Sequence, residues 1–142
     1  MNINVEAFTL SRFKEFIAKL SQIHFSELSI FEAKAKICRL SKRDTSYMQA
    51  LEAFGDNLAV LQEDEKLIFH PYTAQDDKYF NIIFAKNLGL DVLDTIILVQ
   101  AIKVGTLITE DKEILYLREQ NGYTKDPIFG KLKIKRWKEL TT

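Results

Sequence analysis

Leu93-Asp94-Thr95-Ile96-Ile97-Leu98-Val99-Gln100-Ala101-Ile102-Lys103-Val104-Gly105-Thr106-Leu107-Ile108-Thr109-Glu110-Asp111-Lys112 reads as a buried helix, a one-glycine turn, a short apolar strand and a carboxylate where the strand ends. Residues 91–104 are apolar nearly all round, the pattern of a helix packed deep in a protein. Residues 106–109 form the strand. Asp94 opens the helix and Asp111 closes the strand, so one such unit holds two acids near one edge of a sheet. Acids gathered in this way make a site for a hard divalent cation.

On the N-terminal side of this stretch, helix-like and strand-like segments alternate. Phe13, Phe16, Ile17 and Leu20 recur at helical spacing over residues 9–20. Residues 22–25 are strand-like, and Ser26 reads as the N-cap of a helix over 27–40 with Leu28, Phe31, Ala35 and Cys38 facing inward. Residues 41–62 carry another helical pattern, and 67–69 a short strand ended by His70-Pro71. Residues 74–87 are helical, with Tyr79, Phe80, Ile83 and Phe84 on the apolar side and Gly89 as the stop. Beyond the central stretch come a helix over 112–120 and an alternating strand over 132–137. Strands separated by helices at this spacing predict an α/β fold with a parallel sheet covered on both faces. No repeat or linker interrupts the pattern, which predicts one domain over 1–142.

The composition suits a compact domain: 142 residues, 46% apolar, with two prolines and five glycines. Twenty basic and twenty acidic side chains cancel, which argues against a protein that coats nucleic acid non-specifically but leaves room for a local basic patch. Cys38 is the one cysteine, so no internal disulfide forms and a reducing cytoplasm is the easiest compartment for the chain. Its packing role is that of a small buried hydrophobe. No apolar run is long enough to span a bilayer, and the first residues lack the regions of a signal peptide.

Three acids stand out: Glu32, one turn into the helix after a strand, Asp94 and Asp111. In a parallel sheet these positions converge beyond the carboxyl ends of the strands, where open α/β sheets place their sites. Each also has a purely structural reading. Asp91 and Asp94 fit a capping box, Glu32 and Lys36 an i,i+4 pair, and Glu110 and Asp111 the cap of the next helix. His24 and His70 stand too far apart in sequence to read as a metal pair, and Trp137 and the phenylalanines read as core.

The order and spacing of the acids resembles a PIN domain, the nuclease fold of many toxin–antitoxin ribonucleases, from about residue 8 onward. That family carries an acid on the helix after the second strand, matched by Glu32 in Ile30-Phe31-Glu32-Ala33. It carries an Asp eleven residues before a glycine, matched by Asp94 and Gly105, and a strand ending in Thr-x-Asp, matched by Thr109-Glu110-Asp111. The resemblance implies a three-layer α/β/α fold around a short, mostly parallel central sheet. It implies a site in which Glu32, Asp94 and Asp111 hold Mg²⁺ or Mn²⁺ and Thr109 orients a water or carboxylate. The implied activity is endonucleolytic cleavage of single-stranded RNA, with an antitoxin-like protein as a possible partner. The alternative is a catalytically inactive module that binds protein or RNA.

The chain departs from the family at its first strand, which ordinarily ends in Asp-Thr or Asp-Ser and supplies a principal ligand. Met1-Asn2-Ile3-Asn4-Val5-Glu6 is the one candidate, and its alternating asparagines suit a doubly buried strand poorly. Glu6 is the available substitute for the missing Asp. The chain reads as if it began just after that strand, with the true start upstream or the gene a shortened relative. Loss of that strand leaves open sheet edges, which predicts a homodimer, and a site short of one ligand predicts weak cleavage. Lys36 and Arg39, with Arg43, form a basic helical stripe beginning one turn beyond Glu32, placed to meet phosphate. The lysine-rich tail reads as a solvated edge.

Overall fold

The computed structural model describes residues 10–120 and 125–140; the candidate first strand at Met1 to Glu6 lies outside them. The chain forms two compact units, Leu20–Tyr72 and the combination of Met1–Lys19 with Thr73–Thr142. Each contains one parallel pair of strands, so the fold is α/β with parallel pairing, as its alternation of helix and strand predicts. Among the described residues the pairing makes two two-stranded ribbons.

In the first unit, β1 (Ile23–Ser26) runs straight into α2 (Glu27–Arg43); α1 (Leu10–Lys19) belongs to the other unit. A 3₁₀ turn at Thr45–Tyr47, α3 (Met48–Glu63) and β2 (Leu67–His70) complete it. The register pairs Ile23 with Leu67, His24 with Ile68, Phe25 with Phe69 and Ser26 with His70. Because strand side chains alternate, the ribbon has two different faces. Phe25 and Phe69 stack on one, with ring centroids 5.7 Å apart; His24, Ser26, Ile68 and His70 occupy the other.

Three expectations for this unit need correction. The helix break falls at Asp44, three residues later than residues 27–40 allow, because the Asp44 carboxylate accepts the Ser46 N–H at 2.9 Å and opens the 3₁₀ turn. Ser26 does occupy the N-cap position of α2, but its hydroxyl caps nothing. Phe31 and Ala35 do not face inward: Phe31 is 68% exposed, and no residue of α2 or α3 is buried. The apolar periodicity is real, but a two-stranded ribbon offers α2 too little surface to cover that whole stripe. Lys34 lies over the Phe54 ring at 4.9 Å and links the two helices.

The second unit carries the core. It contains α1 (Leu10–Lys19), α4 (Ala74–Phe84), α5 (Val92–Val104), β3 (Thr106–Ile108), α6 (Lys112–Leu117) and β4 (Lys133–Lys135), followed by a 3₁₀ turn at Trp137–Glu139. Thr73 and Asp76 form a reciprocal capping box that starts α4. The helix ends at Phe84, earlier than residue 87, and Asn87 and Gly89 follow with positive φ. As its composition predicts, α5 is buried along much of its length through Thr95, Ile96, Leu98, Val99, Gln100 and Ala101. Leu98 and Val99 pack with Ile83, Ile114, Leu117 and Ile134 in one cluster.

Gly105 ends α5 in the left-handed region at φ 99°, with its N–H bonded to the Ala101 carbonyl. This conformation favours glycine, and it turns the chain directly into β3. β3 runs parallel to β4, and Thr109 extends the ladder by donating its N–H to the Lys135 carbonyl at 3.0 Å. α6 and β4 are shorter than the periodicity of 112–120 and 132–137 suggests. Trp137 leaves the strand for the 3₁₀ turn, where it is buried and meets Phe16 edge-on at 5.3 Å. Among the described residues no helix is long and apolar enough to cross a membrane.

Candidate metal centre

Asp91 and Asp94 divide the work at the start of α5. Asp91 is the N-cap, its carboxylate accepting the Asp94 N–H at 2.8 Å and its carbonyl accepting the Thr95 hydroxyl at 2.6 Å. The Asp94 side chain is half-buried in the first turn of the helix. The count back from Gly105 and the cap geometry therefore assign the two acids different positions.

Asp111 caps α6. Its Oδ1 accepts the N–H groups of Glu113 at 2.9 Å and Ile114 at 3.1 Å. Both bonds land on one oxygen, which leaves Oδ2 for another role. The structural reading of Asp111 as a cap is therefore correct, and it is compatible with ligation. Thr109 sets up this turn: its hydroxyl accepts the Asp111 N–H at 3.0 Å. Its role here is to orient the Asp111 backbone. Glu110 points elsewhere, accepting from Arg136 Nε at 3.1 Å and from the Trp137 N–H at 2.9 Å. That contact ties the end of β3 to the segment after β4 and takes Glu110 out of the cap.

Asp94, Asp111 and Glu113 each offer a carboxylate oxygen within 4.8 Å of the others. Asp94 and Asp111 are half-buried and Glu113 is exposed. Two features let like charges gather there. The N-terminus of α5 contributes a favourable dipole for Asp94, and the backbone N–H groups at the start of α6 neutralise part of the Asp111 charge. The donor set is hard oxygen throughout, which suits a hard divalent cation and not a thiophilic one. With Mg²⁺–O distances of about 2.1 Å, opposite ligands of one ion lie about 4.2 Å apart. The observed spacing thus admits one cation held directly by some of these oxygens and through water by the rest.

Glu113 has no place in the sequence reading, although Asp111-x-Glu113 was legible as a second acid in the first turn of α6. Its participation follows from the cap, since bonding its N–H to Asp111 draws the first turn of α6 tightly around that carboxylate. Glu32 lies in the other compact unit, exposed on α2, with Lys36 and Arg39 exposed on the same helix beyond it. Among the described residues the cation-sized acid group is Asp94, Asp111 and Glu113.

A second acid escaped the sequence reading. Asp76 is buried in the second unit, ion-paired with Lys103 and accepting from Gln100 at 3.4 Å and from the Thr73 N–H at 3.1 Å. His24 and His70 were read as unrelated and are in fact neighbours, with Nδ1 of one 2.7 Å from Nε2 of the other. Strand pairing across the α2–α3 excursion brings them together, which sequence distance conceals. No family model, curated protein or solved structure matches this chain.

Proposed function

We propose that this chain is a PIN-like, Mg²⁺- or Mn²⁺-dependent endoribonuclease that cleaves single-stranded RNA. The observation that carries this reading is the gathering of Asp94, Asp111 and Glu113 within 4.8 Å at the ends of β3 and the starts of α5 and α6. The parallel α/β pairing and the order of the acids along the chain support it. A bound divalent ion would supply an activated water and neutralise charge on the scissile phosphate. Asp94 and Asp111 would hold the cation with Glu113 beside them, and Thr109 fixes the Asp111 turn. The exposed Lys36 and Arg39 are proposed as phosphate contacts for the RNA. The proposed whole has a three-layer α/β/α arrangement, acts in the cytoplasm as a homodimer, and pairs with an antitoxin-like protein.

A second reading is a silent PIN-like module that binds RNA or protein. It is favoured by the capping role of Asp111, which accounts for that residue through folding alone. The discriminating experiment incubates labelled single-stranded RNA with the protein in Mg²⁺ or Mn²⁺. Cleavage lost in both Asp94→Asn and Asp111→Asn supports the nuclease. RNA binding without cleavage in either metal supports the silent module, and cleavage that survives both substitutions removes these acids from the mechanism.

A further inference from the structure

The geometry points to a second metal site, unlike the acidic one, in which His24 Nδ1 and His70 Nε2 together bind a first-row transition cation such as Zn²⁺, Ni²⁺ or Cu²⁺. The two rings lie on the polar face of the β1–β2 ribbon, one step out of register, since His24 pairs with Ile68 and His70 with Ser26. Their facing nitrogens are 2.7 Å apart, and their centroids are 5.0 Å apart with ring planes 30° from parallel. A nitrogen-to-nitrogen hydrogen bond of this kind requires at least one imidazole to be unprotonated at that atom.

The ring separation is what a shared cation needs. With metal–nitrogen distances of about 2.0–2.1 Å, an imidazole centroid lies about 3.2 Å from the ion. Two cis ligands then have centroids about 4.5 Å apart at a right angle and about 5.2 Å apart at the tetrahedral angle. The observed separation of 5.0 Å falls between these. Imidazole pairs prefer the later first-row metals to Mg²⁺, which sets this site apart from the carboxylate cluster.

Ser26 supplies an independent observation. It shares the histidine face, directly across from His70, and its hydroxyl oxygen is buried with no hydrogen-bond partner among the described residues. Buried polar atoms are rarely left so. A water on a cation held by the two rings would give that hydroxyl its partner, and such waters complete the shell of a metal that has only two protein ligands. His70 and Ser26 close the two parallel strands, and His24 stands two residues before Ser26 on the same face.

The test uses the untagged full chain carrying Asp94→Asn and Asp111→Asn, so that the acidic cluster does not contribute. Its two histidines are the only ones in the sequence, so any imidazole signal is theirs. Calorimetric titration should show one equivalent of Zn²⁺ or Ni²⁺ bound at neutral pH, with Mg²⁺ in excess failing to compete. Cu²⁺ should give an electron paramagnetic resonance spectrum with hyperfine splitting from two nitrogens. His24→Gln and His70→Gln should each weaken binding by more than the roughly 10–100-fold that loss of an outer-shell partner costs. Should either variant unfold, nitrogen-15 shifts of both rings in the parent chain still decide the question, since Zn²⁺ must move both together. Binding unchanged in the variants, shifts confined to one ring, or no binding of any of the three metals would overturn the site.

Discussion

Lys103 of α5 is ion-paired with Asp76 of α4, and the pair is lopsided: the Asp76 side chain is 2% exposed and that of Lys103 38%. The carboxylate is the buried partner, and it is also the N3 residue of the α4 capping box. One side chain therefore starts a helix and fastens it to the most buried helix of its unit. Burial pushes the Asp76 carboxyl up, but hydrogen bonds from Lys103, Thr73 and Gln100 and the charge of Lys103 outweigh it and hold it below its ordinary value.

This asymmetry orders two substitutions. Lys103→Met strands a buried charge and should cost about 3 kcal/mol, whereas Asp76→Asn leaves a lysine that reaches water and should cost about 1–2 kcal/mol. Urea denaturation of the two variants measures the difference. An equal loss would mean that the pair is not the link between the helices.

The same pair makes stability depend on acid. A carboxyl with a lowered folded pKa stabilises the fold above its unfolded value of about 3.9, and that contribution disappears as pH falls from there through the folded pKa. Without Lys103 the folded pKa rises toward the unfolded one. The stability lost between neutral pH and the acid end of this window should accordingly be smaller in Lys103→Met than in the parent protein. Denaturation midpoints across that range check the sign.

Metal binding at the carboxylate cluster should appear as stabilisation. A cation at about 100 times its dissociation constant adds about 2.7 kcal/mol. Asparagine caps helices as well as aspartate does. Asp111→Asn should consequently leave the metal-free protein nearly as stable while removing the gain from Mn²⁺. Asp111→Ala should lose the gain and a further ~1 kcal/mol from the cap. Thermal melts with and without Mn²⁺ separate the two roles, and a full gain in Asp111→Asn would place the cation elsewhere.

Gly105 should be sensitive for a backbone reason alone. A Cβ added there meets nothing within 4 Å, yet φ is 99°. Gly105→Ala should cost about 1–2 kcal/mol, and a β-branched replacement more. Gly55, which lies within α3 and has equal space around it, should respond oppositely, Gly55→Ala gaining about 1 kcal/mol.

The proposed dimer has its own measurement. Both strands of the β1–β2 ribbon are only half-buried along their whole length, whereas parallel strands are ordinarily covered on both faces. Sedimentation equilibrium at micromolar concentration should return twice the chain mass of 16.5 kDa. A monomer over that range would count against the dimer.

Elements whose signals are local were legible before folding was considered. The all-round apolarity of 91–104 marked α5 as buried, Gly105 marked its end, and the alternation of helix with short apolar runs implied parallel strands. Asp94 and Asp111 were legible because each stands at a fixed offset from such a signal. Helix ends governed by a side-chain hydrogen bond were less legible, as at Asp44, where the carboxylate and not the apolar period sets the break. Periodicity also says which residues share a stripe without saying whether a partner surface exists to cover it, and Phe31 is left outside for that reason.

Which groups meet at the two clusters depends on the folded chain. Glu113 joined the acids because a cap curls the first turn of α6, and Glu110 left them because Arg136 and the Trp137 N–H draw it away. His24 and His70 became neighbours through strand register, across an excursion of two helices. Asp76 was hidden among ordinary helix-start acids until α5 closed over it. For Glu110, Asp76 and the histidine pair the deciding contact joins residues far apart in the chain, and such partners exist only after the chain has folded; for Glu113 it is a cap bond reaching two residues.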